Sequence, residues 1–210
     1  MNRRRFIWQE AETQSGLPVG YTAVDYLQSS GTQWINTEIT PSQDTKVIIK
    51  FMANEWGYES LIGGRATSDS NDQFTTYLDS RSNGRFLFRM DGMSSAITYY
   101  GIKLHTVYIA EFSGTKMEFM LEDGTISFTS GVTISDFSST VPMLLFKAQN
   151  VGGTGLYGKV YSCKIYHQDN LVRDFQPCLD TDGVPCMFDL VSRKPFYNVG
   201  TGSFTWGVIK

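Results

Sequence analysis

Aromatic and planar polar side chains cluster in the predicted loops of this 210-residue chain. Sugars stack their C–H patches on flat aromatic faces, and planar polar groups bind their hydroxyls. The sequence therefore predicts a glycan-binding site in these loops. The same aromatics could instead pack beneath loops or at subunit contacts, and both readings stay open. The candidate residues are Trp56, Tyr58, Arg65, Arg81, Tyr99, Tyr100 and Asn150.

Carboxylate pairs would be the signature of a glycoside hydrolase. Such an enzyme needs two carboxyl groups about 5.5 Å apart for retention, or about 6.5–9.5 Å apart for inversion. Residues i and i+2 of a strand face the same way at about 6.6 Å, yet no predicted strand carries two acids at that spacing. Glu118 and Glu122 share a predicted face but lie about 13 Å apart. A hydrolase is therefore the weakest of the alternatives, and no catalytic residue is predicted.

Metal and nucleophile chemistry has little support in the sequence. The two histidines, His105 and His167, stand at the ends of strand-like runs and form no cluster with other metal ligands. The loop at 68–72 carries Asp69 and Asp72, whose hard oxygens suit calcium. The alternative is that these side chains only form turns, so calcium is an open option and no cofactor is predicted.

Alternating runs supply the elements that must position these residues. Segments 46–53, 115–122 and 160–167 alternate apolar and polar residues, which is the period of a strand with one buried face. In the last segment the pattern places Tyr161, Cys163 and Ile165 on one face. Turn residues such as Asp123-Gly124 separate short runs rich in Val, Ile, Thr, Phe and Tyr. The pattern predicts an all-β fold, a two-sheet antiparallel β-sandwich of residues 17–210.

Composition limits the function classes. Apolar residues make up 41% of the chain and charged residues 19%, with a net charge of −3. The apolar content is enough for one domain with a sizeable core. The small net negative charge produces no electrostatic field that would attract nucleic acid or an anionic membrane. No apolar run approaches the roughly 18 residues of a membrane helix, and the start lacks the apolar core of a signal peptide. We expect synthesis in a reducing cytoplasm and no membrane insertion.

The three cysteines and the first sixteen residues carry two further expectations. An odd count of cysteines without tight spacing predicts unpaired thiols at Cys163, Cys178 and Cys186. Residues 1–16 form an arm in which three arginines precede an apolar triplet. The arm is either a frayed terminus or an anchor that docks on a partner subunit. The anchor residues are Arg3, Arg4, Arg5, Phe6, Ile7 and Trp8.

Both ends of the domain and its middle resemble a known family. The segments LPVGYTAVDYLQSSGTQWINTEI (17–39), LHTVYIAEFSGTKMEFMLEDGTI (104–126), KVYSCKIYHQDNLVRDFQPC (159–178) and GVPCMFDLVSRKPFYNVGTGSF (183–204) are similar to parts of concanavalin A-like, laminin G-like jelly-roll domains. The subgroup that they resemble occurs in virion proteins of phages of gut bacteria. The resemblance covers about residues 17–207 and implies a jelly-roll fold and a virion context, but no reaction.

The sequence thus predicts a non-enzymatic phage virion component, a head- or tail-appended fibre or decoration subunit that could bind host or environmental glycans. Its expected partners are its own copies, other virion proteins and surface glycan, and not nucleic acid. Three alternatives remain: a decoration protein without ligand, a stand-alone lectin-like carbohydrate-binding module, and a glycoside hydrolase.

Overall fold

The computed structural model describes residues 16–66, 73–79, 84–149 and 154–210. Several predicted functional residues lie outside these ranges. They are the anchor residues Arg3 to Trp8, the calcium candidates Asp69 and Asp72, and two glycan candidates, Arg81 and Asn150.

The described residues form twenty strands and no helix, and hence no helix that could cross a membrane. Eleven strands form the first sheet: β1 (Thr22–Ala23), β2 (Leu27–Ser30), β4 (Thr45–Ala53), β10 (Val107–Ser113), β11 (Lys116–Leu121), β12 (Ile126–Gly131), β16 (Tyr157–His167), β17 (Asn170–Leu179), β18 (Pro185–Asp189), β19 (Lys194–Phe196) and β20 (Thr205–Trp206). Nine form the second: β3 (Ile35–Asn36), β5 (Glu59–Ser60), β6 (Ile62–Arg65), β7 (Gln73–Asp79), β8 (Arg85–Met90), β9 (Ile97–Tyr99), β13 (Leu144–Leu145), β14 (Ala148–Gln149) and β15 (Thr154–Gly155).

Pairing is antiparallel apart from two short contacts at the rim of the second sheet. The first sheet runs in the order β12-β11-β10-β4-β16-β17-β18-β19, with β2 beside the first residues of β16. In the second sheet β7 pairs with β8 on one side and with β5 and β6 on the other. The parallel contacts are β14 with β6 and β15 with β5. The predicted all-β, two-sheet β-sandwich is confirmed.

Phenylalanines of both sheets meet in the core. Phe119 of β11 lies 4.9 Å from Phe86 of β8 and 6.3 Å from Phe51 of β4, measured between ring centroids. Phe112 of β10 stacks on Phe86 at 5.5 Å. All four rings are fully buried. The alternation read from segments 46–53 and 115–122 therefore points at one shared core, as an aligned sandwich requires.

A β-bulge changes the facing of β16. Its residues pair with β4 as Val160 with Phe51 and then Ser162 with Lys50, which leaves Tyr161 as the extra residue. Val160 and Cys163 are therefore both buried, while Tyr161 is only half-buried and packs edge-on to Tyr26 at 5.4 Å. The prediction that Tyr161 shares a face with Cys163 is wrong, because the bulge inserts one residue into the period-2 pattern.

A second, smaller apolar cluster covers the outer face of the first sheet. Met187 of β18 belongs to the main core, so its neighbours Cys186 and Phe188 point the other way. They cluster with Cys178, and Leu17, Tyr21 and Leu190 pack on top. We call these six residues the outer cluster. The chain following Gly16 therefore lies against the sheet.

Candidate functional site

Strand β8 presents a polar face on the outside of the second sheet. Phe86, Phe88 and Met90 are fully buried in the core, whereas Arg85, Leu87 and Arg89 are half-buried. Since successive side chains of a strand point to opposite faces, the two arginines and Leu87 face away from the core.

Strand β7 places its tyrosine beside them. Tyr77 is the direct partner of Leu87 in the antiparallel ladder, and direct partners share a face. The ring of Tyr58, just before β5, stacks on Tyr77 at 5.6 Å with 22° between the planes. Tyr58 keeps 43% of its surface exposed. We call the set Tyr58, Tyr77, Arg85, Leu87 and Arg89 the tyrosine–arginine face.

Short polar side chains form the floor of this face. Asp79, opposite Arg85, is fully buried, and its Oδ2 accepts a hydrogen bond from Arg85 Nη1 at 2.9 Å. This ion pair fixes the guanidinium and neutralises its charge. Thr75, opposite Arg89, is also buried, and its hydroxyl lies 3.3 Å from Gln73 Oε1. The arginines and tyrosines therefore stand on a rigid base.

The arrangement suits a sugar better than a reaction. A stacked tyrosine pair offers an aromatic surface for C–H groups, and guanidinium groups offer planar arrays of N–H donors for hydroxyls. No group of three or more His, Cys, Asp or Glu side chains that could hold a metal ion occurs within the described ranges.

The structure brings some of the predicted glycan residues together and separates others. Tyr58 joins the tyrosine–arginine face. Arg65 is the ladder partner of Gln73, at the opposite end of β7 from Tyr77, so it borders the same face at a distance. Trp56 is partly buried against the core. Tyr99 lies in β9 and stacks inward on Phe119 and Phe128, whereas Tyr100 is 65% exposed just after β9.

Sequence reasoning missed Tyr77, Arg85 and Arg89. The alternation of 85–90 contains the signal, because apolar residues there alternate with Arg85, Leu87 and Arg89. The glycan prediction considered loop positions, whereas these three residues lie within strands.

Two carboxylates do meet across neighbouring strands of the first sheet. Glu111 of β10 is the direct partner of Glu118 of β11, and Lys116 Nζ lies 2.9 Å from one and 3.2 Å from the other. Burial lowers the pKa of Lys116, but its hydrogen bonds to both glutamates outweigh this and raise it. The lysine bridges the two carboxylates, so the three side chains form one ion-pair cluster between β10 and β11.

Glu59 has a raised pKa, as a catalytic acid would, but it is buried and cannot reach a substrate. Burial raises the pKa of Glu59 to about 7. The hydrogen bond from the Tyr157 backbone N–H lowers this pKa, and the nearby charge of Glu55 adds to the rise. Only 1% of Glu59 is exposed, and it shares a face with the buried Leu78. Its Oε2 accepts the Tyr157 N–H at 2.9 Å. Glu59 is therefore a structural group that joins β5 to β16.

No family model and no curated protein matches this chain. Among solved structures, the chain is similar to a Bacteroides ovatus protein provisionally described as carbohydrate binding, at 8% identity and a TM-score of 0.60, covering 90% of this chain and 61% of the other. Laminin G domains 4–5 of the mouse laminin α1 chain give a TM-score of 0.49 at 14% identity, covering 93% of this chain and 48% of the other. A galectin of Caenorhabditis elegans gives a TM-score of 0.30 at 12% identity, covering 66% of this chain and 99% of the other. The chain thus spans about three fifths of the Bacteroides protein, and the likeness shows a shared fold.

Proposed function

We propose that this protein is a non-enzymatic carbohydrate-binding β-sandwich and that glycan binds on the tyrosine–arginine face. The stacked pair of Tyr58 and Tyr77, flanked by Arg85 and Arg89 on a buried polar floor, is the observation that carries the proposal. The description of the Bacteroides protein as carbohydrate binding is in keeping with it.

Rigidity and partial exposure support this face over others. The rings of Tyr58 and Tyr77 are ordered by each other, and Arg85 is ordered by Asp79. Little side-chain entropy is then lost when a ligand binds. The outer face of the first sheet also carries ion pairs, such as Lys50–Glu122 and Lys164–Asp174, but its tyrosine pair, Tyr26 and Tyr161, packs edge-on rather than stacked.

Replacing Tyr77 with alanine is expected to weaken glycan binding by about tenfold or more, or ~1.4 kcal/mol, because the ring is the buried half of the stacking surface. The measurement is a glycan array with wild-type protein, followed by titration calorimetry of the best ligand with both proteins. Tyr166→Ala is the matched control, since Tyr166 is also a half-buried tyrosine but lies on the first sheet below Lys46 Nζ.

Three results would contradict the proposal. If the wild-type protein binds no glycan on a broad array, the result favours the alternative of a decoration protein without ligand. Equal loss of binding in Tyr77→Ala and Tyr166→Ala would place the site elsewhere. Release of reducing sugar from any bound glycan would favour the hydrolase alternative.

We further propose that the protein is displayed on a phage particle as a fibre or decoration subunit, with its own copies and other virion proteins as partners. The resemblance of segments 17–39 and 159–204 to virion proteins supports this placement. Arg3 to Arg5 and the adjacent Phe6-Ile7-Trp8 supply charge and apolar surface for the attachment. A stand-alone lectin-like module is the alternative.

Deleting residues 1–15 is expected to abolish attachment while leaving thermal stability within a few degrees of wild type. The deletion spares Leu17 and Tyr21 of the outer cluster and all twenty strands. Co-sedimentation with purified particles measures attachment, light scattering measures self-association, and calorimetry measures stability. If full-length protein never sediments with particles, the virion placement is wrong; if the truncated protein sediments equally well, the arm is no anchor.

A further inference from the structure

Two of the three cysteines face each other across the β17–β18 hairpin. Cys178 and Cys186 are direct partners in this antiparallel ladder. Both are free thiols and fully buried, with Sγ atoms 3.5 Å apart. Direct antiparallel partners have Cα atoms about 4.5–5.5 Å apart, within the range of about 4.4–6.8 Å that a disulfide spans. Closing the bond to about 2.05 Å needs only small movements of both side chains.

We propose that Cys178 and Cys186 form a reversible dithiol–disulfide site that is oxidised by low-molecular-weight disulfides such as oxidised glutathione. The thiolate of one cysteine attacks a sulfur of the small disulfide, forming a mixed disulfide and releasing one small thiol. The second cysteine loses its proton to solvent and attacks the mixed disulfide, releasing the other small thiol. The protein loses two electrons and two protons, and the small disulfide becomes two thiols.

We assign the first attack to Cys178. The hydrogen bond from the Cys186 thiol lowers the pKa of Cys178, and a second from the Phe188 backbone acts in the same direction, while burial opposes them. Donating that hydrogen bond raises the pKa of Cys186, and burial adds to the rise. The nearby carboxylate of Asp180 disfavours both thiolates. One thiol of the pair thus activates the other.

The cover over the pair decides how fast it reacts. Leu17 and Tyr21 pack on the outer cluster, and the Tyr21 ring meets Phe188 edge-on at 5.2 Å. The segment is held further by Arg193 Nη1, which donates a hydrogen bond to the Gly16 carbonyl. The strand that follows this segment, β1, is only two residues long, Thr22 and Ala23. Local lifting of 16–21 would open the thiols without unfolding the sandwich.

Cys163 is the internal reference for this chemistry. It is fully buried in the main core, and burial raises its pKa far above the ordinary value. It is not a member of the outer cluster. It should remain a thiol under conditions that oxidise the other two.

Incubation of the full chain with oxidised glutathione tests the site. Intact mass spectrometry should show the loss of two hydrogens, and thiol counting after denaturation should find one thiol instead of three. Peptide mapping should link Cys178 to Cys186, and Tm should rise by roughly 5–10 °C for the closed nine-residue loop. Tyr21→Ala should accelerate the oxidation severalfold because it loosens the cover.

Single variants separate the roles of the thiols. Cys186→Ser, which keeps a hydroxyl donor beside Cys178, should form a stable mixed disulfide with glutathione faster than Cys178→Ser does. Cys163→Ala should still lose two hydrogens. Retention of three thiols at equilibrium with excess oxidised glutathione, a linkage between two chains, or a linkage involving Cys163 would overturn the proposal.

Discussion

Replacing Phe119 with alanine is expected to lower the free energy of unfolding by about 3–5 kcal/mol. The ring is fully buried and lies within 4.9–6.3 Å of Phe86, Phe112 and Phe51, centroid to centroid. Its removal therefore leaves a cavity between both sheets that these large, interlocked rings can fill only in part. Urea unfolding followed by tryptophan fluorescence measures the change at constant m-value.

Glu118→Ala is the matched control, since Glu118 precedes Phe119 on the same strand and faces the other way. It loses one ion pair with a partly exposed lysine, worth at most about 1 kcal/mol. Leu121, two residues further along the strand, is only half-buried, so Leu121→Ala should lower the free energy of unfolding less than Phe119→Ala does. Equal costs at 118 and 119 would mean that the strand is out of register.

The free energy of unfolding is expected to fall by up to about 3 kcal/mol as pH rises from about 4.5 to about 7, owing to Glu59 alone. Burial raises the pKa of this carboxyl from 4.5 to about 7 in the folded protein. The folded state then binds the proton more tightly than the unfolded chain does. The stabilisation that comes from protonation of Glu59 is therefore complete below pH 4.5 and is lost above pH 7.

Glu59→Gln isolates this contribution. Glutamine keeps an oxygen for the Tyr157 N–H but cannot ionise. The difference in unfolding free energy between variant and wild type should therefore grow between pH 4.5 and 7 in favour of the variant, and then level off. Glu55→Gln, at an exposed neighbouring position, should largely retain the wild-type slope. A Glu59→Gln curve parallel to wild type would show that Glu59 is ionised freely.

Local patterns predicted the strands well because each strand contains its own burial period. Segments 46–51 and 85–90 alternate cleanly, and their buried residues meet in the core. The bulge at Tyr161 escaped prediction because its cause is the pairing with β4. A single sequence contains no record of which residue a partner strand leaves out.

The candidate site was predicted only in part for the same reason. The loop position of Tyr58 predicts a surface site, but its stacking partner Tyr77 is nineteen positions away, within β7. Their contact depends on the pairing of β5 with β7. By residue type, Trp56 and Tyr99 are equally good candidates for the glycan site. Only the packing in the structure shows that they lie against the core.

The bulge in β16 also gives this strand an unusual tolerance to changes in chain length. Losing one residue from a regular strand inverts every side chain beyond it, so most deletions would expose Cys163 and Ile165 and bury Lys164. Omitting Tyr161 would instead leave Val160, Ser162 and Cys163 in uninterrupted alternation, at the cost of the contact with Tyr26. Homologous chains that are one residue shorter at this point can therefore keep the same core, and length variation within β16 is expected to concentrate there.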